Sequence, residues 1–241
     1  YVSGGITAFM FDNNSIRQNS FQYASSLSKA GYFAGGQTTS NNFLDTIYKI
    51  IYASDTTITN TTGILSQPRI GLAGCSGEGT KGYFGGGSSA SASPTSRTDR
   101  IIYLTDTANS QTTANLVGGN KVYLAGNSDT ATKGYFVAGF NANNLFTQAT
   151  KITYNNDISS AQATADLPVA TYAMGSVTAG TDKGYFAGGN TTTIANTTAA
   201  YKITYANDTT AAQTTANLSQ ARSALAGCSG EGTKGYFAGG Q

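Results

Sequence analysis

Lys183-Gly-Tyr-Phe-Ala-Gly-Gly189, followed after a loop by Tyr201-Lys-Ile-Thr-Tyr-Ala-Asn-Asp208, is the wording on which the fold turns. Gly-Tyr-Phe recurs with its tyrosine at Tyr32, Tyr83, Tyr135, Tyr185 and Tyr236, in steps of 51, 52, 50 and 51. The second half recurs as KIIYASD, RIIYLTD, KITYNND and KITYAND, whose aspartates Asp55, Asp106, Asp157 and Asp208 are each 51 apart. A period near ~50 residues is the mark of a propeller or a related array of one repeated β unit.

Each unit reads as four short strands separated by Gly, Asn, Asp or Ser/Thr clusters, with no helical spacing. In the unit that starts at Tyr185 these are GYFAGG, YKITY, TTAAQTTANL and SALAGCS. Four antiparallel strands per unit make one propeller blade. The expected fold is therefore all-β, a β-propeller of about five four-stranded blades in one domain. Its units span 1–31, 32–82, 83–134, 135–184 and 185–235, with a partial unit at 236–241. Alternation places Ile50/Tyr52, Ile101/Tyr103, Ile152/Tyr154 and Ile203/Tyr205 on one face, where they should fill the space between blades. The periodic aspartates should start turns by accepting from backbone N–H groups two residues on.

The first unit is shortened: Tyr1 to Tyr32 spans 31 residues, and Asp12 lies 11 after its tyrosine against 23 in the next unit. The Gly-pair strand occurs six times and the strand pair after it five times. A five-blade ring thus has one such strand too many: the terminal strand overlaps or displaces Tyr1–Gly5, or the ring has more blades, or a neighbouring chain supplies the missing half.

Charged residues are 11% of the chain and the net charge is +2, so nothing argues for nucleic acid. No apolar run approaches the ~20 residues of a membrane-spanning helix. The absence of histidine removes the commonest general base and metal ligand. Cys75 and Cys228 sit three periods apart in two copies of LAGCSGEGTKGYF, and both are expected as buried free thiols.

The run Arg-Ser-Ala-Leu-Ala-Gly (222–227), then Lys-Gly-Tyr-Phe-Ala-Gly-Gly, then the Tyr–Asp strand, resembles the Kelch repeat, although the tryptophan of that motif is missing. The wording KGYFAGG with YKITYANDTTAAQTTANLS is also similar to repeats in structural and tail-fibre proteins of marine phages, especially those of cyanobacteria. These resemblances imply a Kelch-like propeller and an extracellular or virion-surface, receptor-binding role. In Kelch proteins the ligand face is formed by the loops after the Gly pair and those before the next inner strand.

Gly77-Glu-Gly-Thr-Lys-Gly82 spells GxGxxG, as does 230–235, but a dinucleotide site needs a following helix, and here a strand follows. Lys81, Lys133, Lys183 and Lys234 would line one rim, each matched by an acid of its own hairpin: Glu78, Asp129, Asp182 and Glu231. Periodic acids stand too far apart for paired-carboxylate hydrolysis, so no enzyme, cofactor or metal is expected. The variable loops after the Gly pairs remain as the binding surface. Asn41, Asn42, Asn143, Asn144 and Asn190 offer amides to sugar hydroxyls, Phe43 and Phe146 offer faces for stacking, and Arg97 lies within the second loop. Arg69 and Arg222, which precede inner strands, are candidates for ligand contact or for cross-linking blades through backbone carbonyls. The expected function is a non-enzymatic adhesion module recognising a cell-surface glycan or protein. The alternative is a decoration or assembly subunit that contacts other structural subunits or copies of itself as a homo-oligomer.

Overall fold

The computed structural model describes residues 30–40, 42–77, 79–89, 93–129, 131–191, 195–230 and 233–241. The shortened first unit and Asn41 therefore lie outside the described residues, apart from the last two residues of that unit.

The described chain is all-β, a succession of antiparallel meanders. Strands β1 (Ala30–Ala34), β2 (Ile47–Ile51) and β3 (Thr56–Thr59) form sheet 1. Sheet 2 holds β4 (Ala73–Gly77), β5 (Lys81–Gly85), β6 (Thr98–Ile102) and β7 (Thr107–Ser110). Sheet 3 holds β8 (Ala125–Ser128), β9 (Lys133–Val137), β10 (Ala149–Thr153) and β11 (Ile158–Ala161). Sheet 4 holds β12 (Gly175–Ala179), β13 (Lys183–Ala187), β14 (Ala200–Thr204) and β15 (Thr209–Ala212), and sheet 5 pairs β16 (Ala226–Gly230) with β17 (Lys234–Ala238). The sheets straddle the sequence units, because the LAGCS strand that closes one unit opens the sheet of the next. The third strand is also shorter than the sequence suggested: in sheets 2–4 it gives way after four residues to a single 3-10 turn, as at Thr214–Ala216. The GxGxxG at 77–82 runs from the end of β4 into β5, a hairpin between strands.

Alternation buries both faces of the central strands. In β9 the ring of Tyr135 faces one neighbour and that of Phe136 the other, and neither is more than 2% exposed. The core is accordingly divided into three layers, one for each contact between consecutive sheets 1 to 4. Burying each such side chain contributes roughly 1.5–3 kcal/mol. Ile101, Ile152, Ile203, Tyr154 and Tyr205 fill these layers as expected, whereas Tyr52 is 57% exposed at the outer face of sheet 1. The first strands of successive sheets approach closely because a glycine faces backbone: a Cβ on Gly126 would strike the carbonyl of Gly74.

The turn aspartates have the expected place but different partners. Asp55, Asp106, Asp157 and Asp208 all take positive φ, 52° to 58°, which Asp tolerates better than most residues. For the last three, the carboxylate accepts from the preceding sheet. Tyr32 Oη donates to Asp106 at 2.6 Å and Lys49 Nζ at 2.8 Å. Tyr83, Lys81 (2.9 Å) and Arg100 converge on Asp157, and Tyr135 (2.5 Å), Lys133 (2.7 Å) and Lys151 (2.6 Å) on Asp208. Each joint adds a ring stack one turn away: Tyr32 on Tyr103, Tyr83 on Tyr154 and Tyr135 on Tyr205, with centroids 5.2, 5.6 and 5.8 Å apart. Lys81 and Lys133 therefore pair across sheets. Asp129, expected beside Lys133 as a charge partner, folds its own hairpin by accepting the amides of Ala131, Thr132 and Lys133.

Burial opposes ionisation of these carboxylates, but the tyrosine and lysine donors outweigh it. They hold Asp157 below its ordinary range and bring Asp208 down to about 2. A carboxylate lowered on folding stabilises the fold above the unfolded value of about 4, and that contribution disappears as pH falls through the folded value. The melting temperature should thus decline between about pH 4 and pH 2. In an Asp208→Asn variant the decline should be smaller, and an equal decline would show that the joint does not form.

Cys75 is buried against Tyr154, and burial raises its thiol to about 12. Cys228 is exposed, contrary to expectation, because no described sheet lies over β16 and β17 as sheet 3 lies over β4.

Candidate functional site

At the end of the sheets opposite the β4–β5 type of hairpin, each Gly pair turns the chain with positive φ at both residues, 73° and 112° at Gly35-Gly36 and 69° and 95° at Gly188-Gly189. In sheet 3 Ala138 replaces the first glycine, at φ 65°. The second glycine donates its N–H to the residue in the Arg69 place of the following unit: Gly36 to Arg69, Gly87 to Lys121, Gly139 to Thr171 and Gly189 to Arg222. Two residues further on, Gly71, Tyr123, Ala173 and Ala224 all have positive φ and form a chain of backbone bonds. Tyr123 N–H donates to Gly71 O (2.7 Å), Ala173 to Tyr123 O (2.8 Å) and Ala224 to Ala173 O (2.8 Å). This ladder ties the entrances of four inner strands into one rim.

Two adjoining cavities open on the rim. One, of about 280 Å³, is lined by the side chains of Leu72, Leu124, Met174 and Leu225 together with the ladder residues Gly71, Tyr123, Ala173 and Ala224. The other, of about 530 Å³, is bounded by Tyr123, Tyr172, Asn190, Asn196, Ser223 and Gln241. Two aromatic residues of its lining are joined through Phe140: Tyr123 stacks on Phe140 (5.9 Å, 7°), and Phe140 meets Tyr172 at 4.6 Å. Asn196 Nδ2 donates to Gln241 O at 2.7 Å, which sets the amides at the opposite edge. Aromatic faces, neutral amides and a hydroxyl, with no charged side chain in the lining, suit a neutral ligand rich in hydroxyl groups. Among the described residues there is no cluster of three or more His, Cys, Asp or Glu that could hold a metal, and no helix is long and apolar enough to cross a membrane.

Of the residues singled out from sequence, Asn190 lies in this cavity, paired with both Tyr172 and Asn196. Asn42, Asn143 and Asn144 are exposed at loop tips, where their backbone N–H groups hold the turns, Asn42 donating to Thr38 Oγ1 and Asn143 and Asn144 to Asn141 Oδ1. Phe43 is half-buried where its strand bridges Gln37. Phe146 is half-buried too, with Lys121 Nζ 5.2 Å above its ring. Burial of that lysine brings its pKa down to about 8.

Arg97 is bound to Gln67 and Ser110, each at 3.2 Å. Arg69 has no exposed surface. Its guanidinium donates to Gly86 O (2.7 Å) and Arg97 O (2.8 Å) and pairs with buried Asp99, while its backbone bonds Leu44 and Gly36 of sheet 1. Arg69 thus bridges the end of sheet 1 and sheet 2 from a buried position. Arg222 makes the same carbonyl contact, to Gly239 O at 3.0 Å, and also holds Gln220.

Sequence reasoning missed Tyr123, Phe140 and Tyr172. The signal was available: lined up with Gly71, Ala173 and Ala224, Tyr123 is a large aromatic in a place otherwise kept small. Its ring covers Gly71, where a Cβ would lie 2.9 Å from it.

No family model matches the chain, and neither does any curated protein. Among solved structures it is similar to one described as "Structure of YjhT", with a TM-score of 0.66 and 10% identity over 83% of this chain and 71% of that one. The likeness is one of fold.

Proposed function

We propose that the chain is a Kelch-like β-propeller of about five blades that works as a non-enzymatic recognition module. Its ligand is a neutral glycan, seated on the Tyr123–Phe140–Tyr172 row with its hydroxyls bonded by Asn190 and Asn196. The observation that carries this reading is a cavity of about 530 Å³ with one aromatic wall and one amide wall, a size and composition ordinary for small-molecule sites. The resemblance to Kelch and phage tail-fibre repeats supports the same face and suggests receptor recognition at a virion or cell surface.

Tyr123→Ala is the direct test, since the repeat itself places alanine at the equivalent Ala173 and Ala224 with the same positive φ. Affinity for a glycan selected on an array should fall about tenfold or more, the loss of one stacking face of roughly 1–1.5 kcal/mol plus its hydroxyl. The melting temperature should hold within a few degrees. Unchanged affinity would remove the glycan reading of this cavity.

The assembly-subunit reading draws on one observation: β17 pairs with β16 alone, so an open sheet edge faces outward among the described residues.

A further inference from the structure

The two cavities of the rim share Tyr123, Ala173 and Ala224 in their linings, so they meet across these three residues. Two of the three are alanines, whose single methyl groups put little in the way. Beyond the shared residues the linings differ in chemistry. The larger cavity adds Tyr172, Asn190, Asn196, Ser223 and Gln241, each with a side-chain hydrogen-bonding group. The smaller adds Gly71, Leu72, Leu124, Met174 and Leu225, none with a nitrogen or oxygen in its side chain.

The four large apolar residues of the smaller cavity come from four units at one repeat position, 72, 124, 174 and 225. Packing between sheets accounts for Leu124 and Met174, which belong to the buried core layers. Leu72 and Leu225 are only half-buried and leave apolar surface at the opening. Among the lining side chains only the Tyr123 hydroxyl can bond a water there, whereas an ordered water needs two to four polar partners. An apolar group entering this space therefore displaces its water at little loss.

We propose that the ligand is amphipathic: a neutral glycoside whose sugar sits in the larger cavity and whose apolar aglycone, a short alkyl chain or one aromatic ring, lies among Leu72, Leu124, Met174 and Leu225. This rests on the glycan reading of the larger cavity and adds the chemistry of what the sugar carries. The size fits, since an apolar cavity of about 150 Å³ already admits benzene and this one has about 280 Å³. Met174 is unbranched and can follow the outline of either kind of group. Tyr123 belongs to both linings and so stands at the junction of sugar and aglycone.

The test is calorimetric titration of the methyl and butyl glycosides of glucose, galactose and mannose. For a sugar that binds, the butyl glycoside should bind at least about tenfold tighter than the methyl glycoside, since each methylene taken out of water is worth roughly fourfold. Leu72→Gln should cut that ratio to about twofold or less. Leu225→Gln, at the entrance of a different sheet, should do the same and serves if Leu72→Gln proves unstable. Asn196→Ala should weaken both glycosides alike and keep the ratio. A ratio that survives both glutamine variants would overturn the proposal, because the chain would then lie elsewhere. Equal affinities for methyl and butyl glycosides would overturn it too and leave the glycan reading standing. Failure of every member of the series to bind would remove the proposal and the glycan reading together.

Discussion

Replacing Arg69 by alanine is expected to destabilise the protein by about 3–5 kcal/mol, read as a drop in the urea midpoint at neutral pH. The guanidinium and the Asp99 carboxylate are both fully buried, so removing one partner leaves an uncompensated charge in the interior. The loss extends beyond the pair, because Arg69 also satisfies the carbonyls of Gly86 and Arg97 while its own backbone holds sheet 1. Asp99→Ala should cost about as much. The double variant should cost well under the sum of the two, since it leaves no lone charge, and the difference measures the coupling. Additive effects, or a single-variant loss below about 1 kcal/mol, would mean that the pair is not formed in solution. The repeat shows that the ion pair is dispensable to the architecture: Lys121 and Thr171 hold the equivalent place in sheets 3 and 4. Lys121 there reaches the carbonyl of Val117 at 3.2 Å in place of an acid.

The second large effect is expected at Asp157, where alanine should lower stability by about 3–4 kcal/mol. Part of this, about 1–2 kcal/mol, is the strain of placing alanine at φ 58°. The rest is the loss of an acceptor shared by Tyr83, Lys81 and Arg100, at roughly 1.5–3 kcal/mol for bonds to a charged group. Asp157→Asn separates the two contributions. Asparagine adopts the left-handed turn and still accepts from Tyr83, so it should recover about half the loss. If Asp157→Asn and Asp157→Ala prove equally harmful, the charge dominates and the turn geometry is secondary.

Several features of the fold were legible in the chain because they depend on near neighbours. Gly-Tyr-Phe flanked by a lysine and a Gly pair, and Ile-x-Tyr followed by a short polar turn, specify strands and hairpins within a few residues of themselves. These appear where expected, including the hairpin that imitates a nucleotide fingerprint. The alternation of Ile152 and Tyr154 announced which face would be buried. The partners of that face were not announced. Lys81 has an acid three residues away in sequence but bonds one 76 residues away, because the sheet packing carries Asp157 onto the end of β5.

The candidate site was legible only in outline. The cavity adjoins the loops after the Gly pairs, and Asn190 from one of them lies in its lining. But Phe43, Phe146 and Arg97 had drawn attention as large or charged residues in variable segments, and packing turns each of them partly into the protein. Tyr123 and Tyr172 lay outside those loops, in stretches that looked like lead-ins to strands.

By itself, then, the sequence determined the repeat, its period, the all-β class and the local turns, since hydrophobic alternation and backbone preference act over a few residues. The tertiary structure alone decided that the tyrosines and lysines of sheets 1 to 3 answer the aspartate of the next sheet, that Arg69 is sealed from solvent, and that Tyr123 and Tyr172 from two units line one cavity. Those outcomes depend on how neighbouring sheets stack, which brings together groups one full repeat or more apart and excludes water between them, so no pattern confined to a single unit encodes them.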